Sequence, residues 1–577
     1  MPAWLGTASA GFFMSALGEN LQHRQVENQF MTCATLKKTL AVVSVSVCSL
    51  NILGCNDNTA TAGQLPTAKP GKASCEAWLG SHQDYTGFGE VEVTSATYIN
   101  NREALSEKDQ ASITSDKFKP FCQLEAYFEK HEGADGKPYA IGLGLALPDD
   151  WNGRFYFQGG GALNGLVRSP IGDRASGELP ALYRGFAVAS TDSGHQSDSI
   201  FNHDFFADQQ ALLNFYSQAI YKSTLQAQGF ITSYYQSEPQ HRYFVGCSTG
   251  GREAMTMSQR YPTLFDGIIA GAPAMRTNLS ELADLYMAKT LRGNNSTAPF
   301  SSAQQTAITD ALLKQCDGLD GLADNLIMAV DHCDFKPNVL LCAENSDENS
   351  CLTPDQISAL QTAFAGPRTS QGEQVYPGFY FDTGISASGE GSVPGILQAV
   401  AGPLGKPRQD IPFDLNREIA FAEGFPLAPG NATLTNLSTF AHSGGKLMFY
   451  HGVSDPWFSA QDTLNYFTNM AENNGGLEQV ADWSQFYFVP GMGHCQGGSN
   501  TLDEFDMLSK LVAWVENDEQ PKEVIAKGES MPNISRPLCP YPQVAQYQGG
   551  SDTEGNDDKD IKKDVESASS FQCRALK

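Results

Sequence analysis

Short apolar runs ended by glycine punctuate the middle of the chain: Arg154–Gly161 (RFYFQGGG), Gly185–His195 (GFAVASTDSGH), Tyr243–Gly251 (YFVGCSTGG) and Gly267–Pro273 (GIIAGAP). Their aromatic and β-branched residues predict parallel strands buried on both faces. Helical patterns such as Asp208–Tyr235 lie between them, and that alternation predicts an α/β fold. Residues 73–150 mix apolar runs with turns, as in Gly89–Ile99 (GEVEVTSATYI), and predict an N-terminal strand layer. From Leu279 to Gly444 strand signals thin out and cysteines cluster; the α/β pattern returns at Gly445–Trp457 and Ser484–Cys495. An interrupted sheet predicts a catalytic domain from residues 73–278 and 445–577, with an inserted lid over 279–444. At 577 residues the chain is long enough for both. Gly549–Asp564 is charge-rich and predicts a solvated loop.

The N-terminal pattern differs. Lys37 and Lys38 precede an apolar stretch from Leu40 to Leu53, which ends in Ile52-Leu53-Gly54-Cys55. The stretch is too short to span a bilayer and fits an export signal. Its ending fits a lipoprotein signal over 31–55, with Cys55 lipidated. Residues 1–30 then read as an extension from a start placed too early, and 56–72 as a flexible linker. The expected location is periplasmic, outer-membrane-anchored or extracellular, with no membrane contact beyond the lipid. The net charge of −27 and the lack of a basic patch argue against a nucleic-acid partner. Of 13 cysteines, three lie in the leader. The even remainder (Cys75, Cys122, Cys247, Cys316, Cys333, Cys342, Cys351, Cys495, Cys539 and Cys573) predicts disulfides of open connectivity, and the absence of CxxC pairs argues against zinc.

Candidate chemistry follows the strands. Gly246-Cys247-Ser248-Thr249-Gly250 fits G-x-S-x-G between a strand and a helix, which makes Ser248 a nucleophile candidate. A serine hydroxyl needs a base. His494 lies past a strand in VPGMGHC and Asp455 past another in HGVSDPW, in the order Ser, Asp, His. His451 and His195 are rival bases. Thr249 N–H is one candidate oxyanion donor, and Gly161 or Ala162 in FQGGGALNG supplies the second. In CDGLDGLADNLIMAVDHC, Asp317, Asp320 and Asp324 crowd together. Such a loop either holds a hard cation such as calcium or fans its charges into water.

The blocks GCSTGGREAM…SQRYPTLFDGIIAGAPA, SDPWFS, PGMGHC, CDGLDGLADNLI and RPLCPYPQVAQY resemble the tannase and feruloyl esterase family over nearly all of the chain past the leader. The resemblance implies an α/β-hydrolase core with a large inserted lid domain, acting on small esters of aromatic acids such as gallate, ferulate or terephthalate half-esters. It implies Ser248 as nucleophile, Asp455 as acid and His494 as base. It also implies structural calcium held by Asp317, Asp320 and Asp324 with the carbonyls of Leu322 and Leu326. The implied disulfides are Cys75–Cys122, Cys247–Cys495, Cys316–Cys333, Cys342–Cys351 and Cys539–Cys573. Asn164-Gly165 favours Ala162 as second donor; relatives tend to have glycine there, and alanine suffices if its φ is negative. Phe458, with Trp457, is expected against the substrate ring. A family member taking terephthalate half-esters carries a lid arginine just before a Phe-Ser pair. No such cluster lies between Tyr376 and Phe425, where Arg408 and Arg417 stand. A neutral phenolic acyl group is therefore expected, with mono(2-hydroxyethyl) terephthalate as the alternative substrate. A catalytically inactive surface-binding lipoprotein is the alternative of another class.

Overall fold

In a computed structural model, which describes residues 69–293, 299–344, 350–389, 393–409, 411–549 and 565–576, the apolar runs become strands of one ten-stranded sheet. In chain order these are β1 (His82–Gln83), β2 (Val91–Ile99), β3 (Phe121–Glu132), β4 (Pro138–Pro148), β5 (Arg154–Gln158), β6 (Ala187–Thr191), β7 (His241–Cys247), β8 (Gly267–Gly271), β9 (Lys446–Gly452) and β10 (Ser484–Val489). Their spatial order is β1-β2-β3-β4-β6-β5-β7-β8-β9-β10. The strands β1 to β4 form an antiparallel meander, β4 meets β6 antiparallel, and every pairing from β6 to β10 is parallel. The expected strand layer is thus an extension of the main sheet.

Both faces of the parallel half are buried, so alternate residues feed two cores. Phe155, Phe157, Phe244, Ile268, Leu447 and Phe486 enter one; Tyr156, Tyr243, Val245, Ile269, Met448 and Tyr487 enter the other. This explains apolar runs without alternation. The helices Ala219–Tyr235, Thr249–Arg260, Ala460–Asn473 and Met507–Asn517 contribute buried residues to these cores.

Between β8 and β9 the described residues hold helices and isolated bridges but no extended strand. The helices include Thr277–Arg292, Ser302–Cys316 and Pro354–Ala365, packed around their own core of Ile308, Leu312, Ile327, Leu360 and Phe364. Capping boxes at Ser301/Gln304 and Thr353/Gln356 start two of them. All five implied disulfides are formed. Such bonds persist in oxidising compartments, which marks an exported chain. The leader, Cys55, most of the linker and most of the 549–564 loop lie outside the described residues. Among the described residues no helix is long and apolar enough to cross a membrane.

Candidate active site

Strand β7 ends at Cys247 and the next helix starts at Thr249, so Ser248 makes the turn alone. Its φ of 65° and ψ of −125° are adopted by L-residues only where the surroundings impose them. Close packing imposes them here. A Cβ on Gly250 would stand 2.8 Å from Gly160 O, and one on Gly246 would stand 2.5 Å from Gly250 O. Ser248 N donates to Gly271 O at 3.1 Å and Ala274 N donates to Ser248 O at 3.0 Å, which fastens the turn to the end of β8. This strand-turn-helix geometry is that of a nucleophile elbow.

His494 follows β10 through a tight turn, and its Nδ1 lies 2.7 Å from Asp455 Oδ2. A carboxylate only accepts, so Nδ1 carries the proton and Nε2 is left as the basic atom. Asp455 is fully buried, and its Oδ1 accepts from Trp457 N at 2.9 Å and Phe458 N at 3.1 Å. Burial pushes its pKa up, but the charge of His494 and hydrogen bonds from His451 and His494 outweigh it. The carboxyl is held well below the usual range.

The rival histidines have other places. His451 is buried; its Nε2 donates to Phe458 O at 2.9 Å and its Nδ1 accepts from Thr463 Oγ1 at 2.9 Å. It supports Asp455 from behind, 3.4 Å from Oδ2. His195 stacks on Phe205 at 3.8 Å, and burial pushes its pKa down to about 4.

Cys247 and Cys495 are bonded, with Cα atoms 6.0 Å apart. His494 Nε2 lies 3.7 Å from Cys495 Sγ, so the base faces the disulfide whose other half precedes Ser248. Among the described residues no hydrogen bond joins the Ser248 hydroxyl to His494; the two loops meet through the disulfide. Catalytic contacts of this kind often tighten only around substrate.

The two oxyanion candidates separate. Gly161 N donates to Asn164 Oδ1 at 2.9 Å and is spent. Thr249 N opens a helix, where the first N–H groups lack intrahelical partners, and Thr249 Oγ1 donates to Ala162 O, joining the two loops. Ala162 remains the candidate for second donor, yet its φ is 51°. The negative φ expected of an alanine there is not found; the loop imposes a left-handed residue.

The element that shapes this loop escaped sequence reading. Glu253, buried in the helix after Ser248, accepts from Gly160 N at 2.8 Å, from Asn164 Nδ2 at 2.9 Å and from Ser193 Oγ at 3.1 Å. Burial pushes its carboxyl pKa up, and Arg252 together with these donors offsets part of that. Its one sequence signal was a charged residue five positions past Ser248, on a helix buried against the sheet.

Trp457 and Phe458 lie against His494, with ring centroids 5.1 and 5.2 Å away. Both therefore pack against the His494 ring, besides giving Asp455 their N–H groups. In the inserted segment Arg408 Nε donates to Glu418 Oε2 at 3.0 Å and Arg417 Nη2 to Glu418 Oε1 at 2.9 Å. Both guanidiniums are thus committed to one buried carboxylate.

In the acidic loop Asp317 accepts from Asp324 N and Asn325 N at 3.2 and 2.9 Å. Asp320 Oδ1 accepts from Leu322 N at 3.0 Å, while its Oδ2 is buried without a partner. Asp324 Oδ1 accepts from Leu326 N at 3.2 Å and its Oδ2 pairs with Arg536. The orphaned oxygen and the hard-oxygen donor set fit a cation such as calcium. The loop is not a finished cage, since among the described residues no group of three or more His, Cys, Asp or Glu is arranged to hold a metal.

The doubly covered sheet and the elbow at the end of β7 define an α/β-hydrolase fold. The chain belongs to the tannase and feruloyl esterase family, whose model matches residues 128–417 and 414–561. The mono(2-hydroxyethyl) terephthalate hydrolase of Piscinibacter sakaiensis is 31% identical over 565 residues, covering 84% of this chain and 91% of the relative. A probable feruloyl esterase of Arthroderma benhamiae is 30% identical over 478 residues, covering 77% and 84%. The crystal structure of feruloyl esterase B from Aspergillus oryzae superposes with a TM-score of 0.67 at 24% identity, covering 84% of this chain and 97% of that one; this likeness bears on fold.

Proposed function

We propose that the chain is a serine esterase that hydrolyses esters of phenolic carboxylic acids through an acyl-enzyme. The observation that carries this reading is the disulfide between Cys247 and Cys495, which sets the strained Ser248 elbow beside the His494–Asp455 pair. Ser248 Oγ attacks the ester carbonyl carbon while His494 Nε2 takes its proton. The N–H groups of Thr249 and Ala162 hold the developing oxyanion. As the intermediate collapses, the alcohol leaves with the proton from His494. Water then gives a proton to His494 and attacks the acyl-enzyme; the acid departs and Ser248 regains its proton. Asp455, ionised throughout, keeps Nδ1 protonated and favours the imidazolium.

A neutral phenolic acyl group fits better than a terephthalate half-ester, because Arg408 and Arg417 are both engaged by Glu418 and a free carboxylate needs an unspent guanidinium fork. Terephthalate monoester hydrolysis is the second reading, favoured by the identity to the P. sakaiensis enzyme. In this proposal residues 279–444 act as the lid, with Phe458 and Trp457 near the acyl ring. Asp317, Asp320 and Asp324 with the carbonyls of Leu322 and Leu326 would hold calcium, which supplies charge neutralisation and loop rigidity. Anchoring through Cys55 would follow export; labelled palmitate should enter the wild type and not Cys55→Ala.

The test is a panel of methyl ferulate, methyl gallate, mono(2-hydroxyethyl) terephthalate and a short p-nitrophenyl ester, offered to wild type and Ser248→Ala. Turnover of the phenolic esters by wild type alone is expected. Selective turnover of the terephthalate ester would favour the second reading, and no turnover at all would sink the esterase assignment.

A further inference from the structure

We infer that Asp382, in the inserted segment, is a positioning residue whose carboxylate clamps the loop bearing Asp455 to the loop bearing His494. The inference rests on the catalytic roles proposed above for those two residues. Asp382 lies far from Asp455 and His494 in sequence and is fully buried. One oxygen, Oδ2, accepts from Ser454 Oγ at 2.8 Å and from Gly491 N at 2.6 Å. Ser454 immediately precedes Asp455, and Gly491 opens the turn that ends at His494. A single atom therefore links the approaches to both residues of the acid–base pair.

The surroundings make this a seam. Thr383 Oγ1 donates to Ser499 O at 3.3 Å and Ser499 Oγ donates to Thr383 O at 2.9 Å. Gly384 fits so closely that a Cβ there would stand 2.8 Å from Ser454 Oγ. Gly389 then bridges Gly497, with a Cβ at Gly389 2.9 Å from His494 N. Residues 382–389 thus run along the turn 491–499 from one side, while Ser454 N donates to Met492 O at 2.9 Å from the other.

Why a carboxylate stands there follows from the donors. Hydrogen bonds to an ionised acceptor are shorter and stronger than to a neutral one. The remaining oxygen, Oδ1, is buried with no close hydrogen-bond partner; burial pushes the carboxyl pKa up to about 6, and the N–H groups of Thr383 and Gly491 with the Ser454 hydroxyl offset part of that. A buried carboxylate with one oxygen unsatisfied is unfavourable for folding alone. Its two satisfied contacts both fall on the loops where a displacement of about 1 Å is felt in the rate.

The experiment compares Asp382→Ala, Asp382→Asn and wild type by kcat, KM and thermal melting on methyl ferulate, and by the low-field proton resonance of His494 Nδ1–H, assigned by its loss in Asp455→Asn. For Asp382→Ala, kcat should fall about 30- to 100-fold with KM within about twofold, and the resonance should broaden or vanish. Asp382→Asn keeps an acceptor oxygen and should recover kcat to within about fivefold of wild type. A kcat for Asp382→Ala within about twofold of wild type, or an unchanged resonance, overturns the inference whatever happens to the melting temperature. If Asp382→Ala fails to fold, Ser454→Ala removes one donor and leaves Asp382 in place; unchanged kcat and resonance there also overturn it. A wild type inactive on every ester defeats the esterase reading instead, and the resonance still tests the clamp.

Discussion

Two disulfide-closed regions of this molecule treat the same side chain in opposite ways. Around Cys247–Cys495, Asp455 is surrounded by donors from Trp457, Phe458 and His494, with His451 behind it, and its pKa is driven down. Inside Cys316–Cys333, Asp320 has one donor for two oxygens, and burial with the charges of Asp324 and Asp317 pushes its pKa up to about 7. Burial is the largest influence on both; the supply of donors and positive charge decides the sign. The first region is electrostatically complete as folded, whereas the second is short of positive charge. A carboxylate whose donors are already in place suits holding an imidazole, and one short of donors suits binding a cation.

The contrast breaks most sharply at Asp455. Asp455→Asn keeps the shape but offers His494 a neutral amide, which favours the wrong tautomer and leaves the imidazolium unsupported. A fall in kcat of about 10⁴-fold is expected by analogy with serine hydrolases, with the fold retained by circular dichroism. A loss under about tenfold would mean that Asp455 does not hold the tautomer.

Much of the first region is legible in the sequence alone. Ser248, Asp455 and His494 each follow an apolar run, so the local pattern that makes a strand also announces the residue at its end. Ala162 was legible as a residue of a glycine-rich loop, but its φ of 51° was not, because the loop is pinned through Gly160 and Asn164 to Glu253, distant in the chain. Glu253 and Asp382 were missed for a related reason. Each is an isolated acidic residue whose purpose lies in donors far away in sequence, on Gly160 and Asn164 for one and on Ser454 and Gly491 for the other. Periodicity reports which face is buried; it does not report which buried carboxylate will find donors.

The next largest effect should come from the disulfide that makes the first region. Cys247→Ala/Cys495→Ala opens a loop with a sequence separation of 248. The chain-entropy model puts that at about 5.5 kcal/mol, less any strain in the native state. Losing a fixed Ser248–His494 placement should lower kcat by about 10- to 100-fold even in molecules that remain folded. Kinetics normalised to the folded fraction would decide between the two effects; full kcat per folded molecule would show that packing alone holds the loops.

For the second region the expected changes are in stability. Chelation should lower the melting temperature of the wild type, and calcium added at about 100 times its Kd should restore about 2.7 kcal/mol. Asp320→Asn removes one of the proposed ligands, so the variant should melt at one temperature with or without chelator. A wild type indifferent to chelation, with no calcium by metal analysis, would mean the loop's charges are simply tolerated.

The smallest effect tests the oxyanion loop. An L-residue at φ 51° is strained by roughly 1–2 kcal/mol relative to its right-handed form, and glycine is not. Ala162→Gly removes that strain but gives the unfolded chain more freedom, which returns about 0.4–1 kcal/mol. The net gain lies between about 0 and 1.6 kcal/mol, a rise of at most a degree or two in a chain of this size. The informative quantity is therefore kcat. A backbone N–H donor survives the exchange unchanged, and Gly161 N, Gly160 N and Asn164 Nδ2 keep their partners, so the loop stays anchored. Unchanged kcat with an equal or slightly higher melting temperature supports Ala162 N–H as the donor. A drop in kcat would mean the Ala162 methyl keeps the loop from sampling other shapes, and that the first region is less complete than its hydrogen bonds suggest.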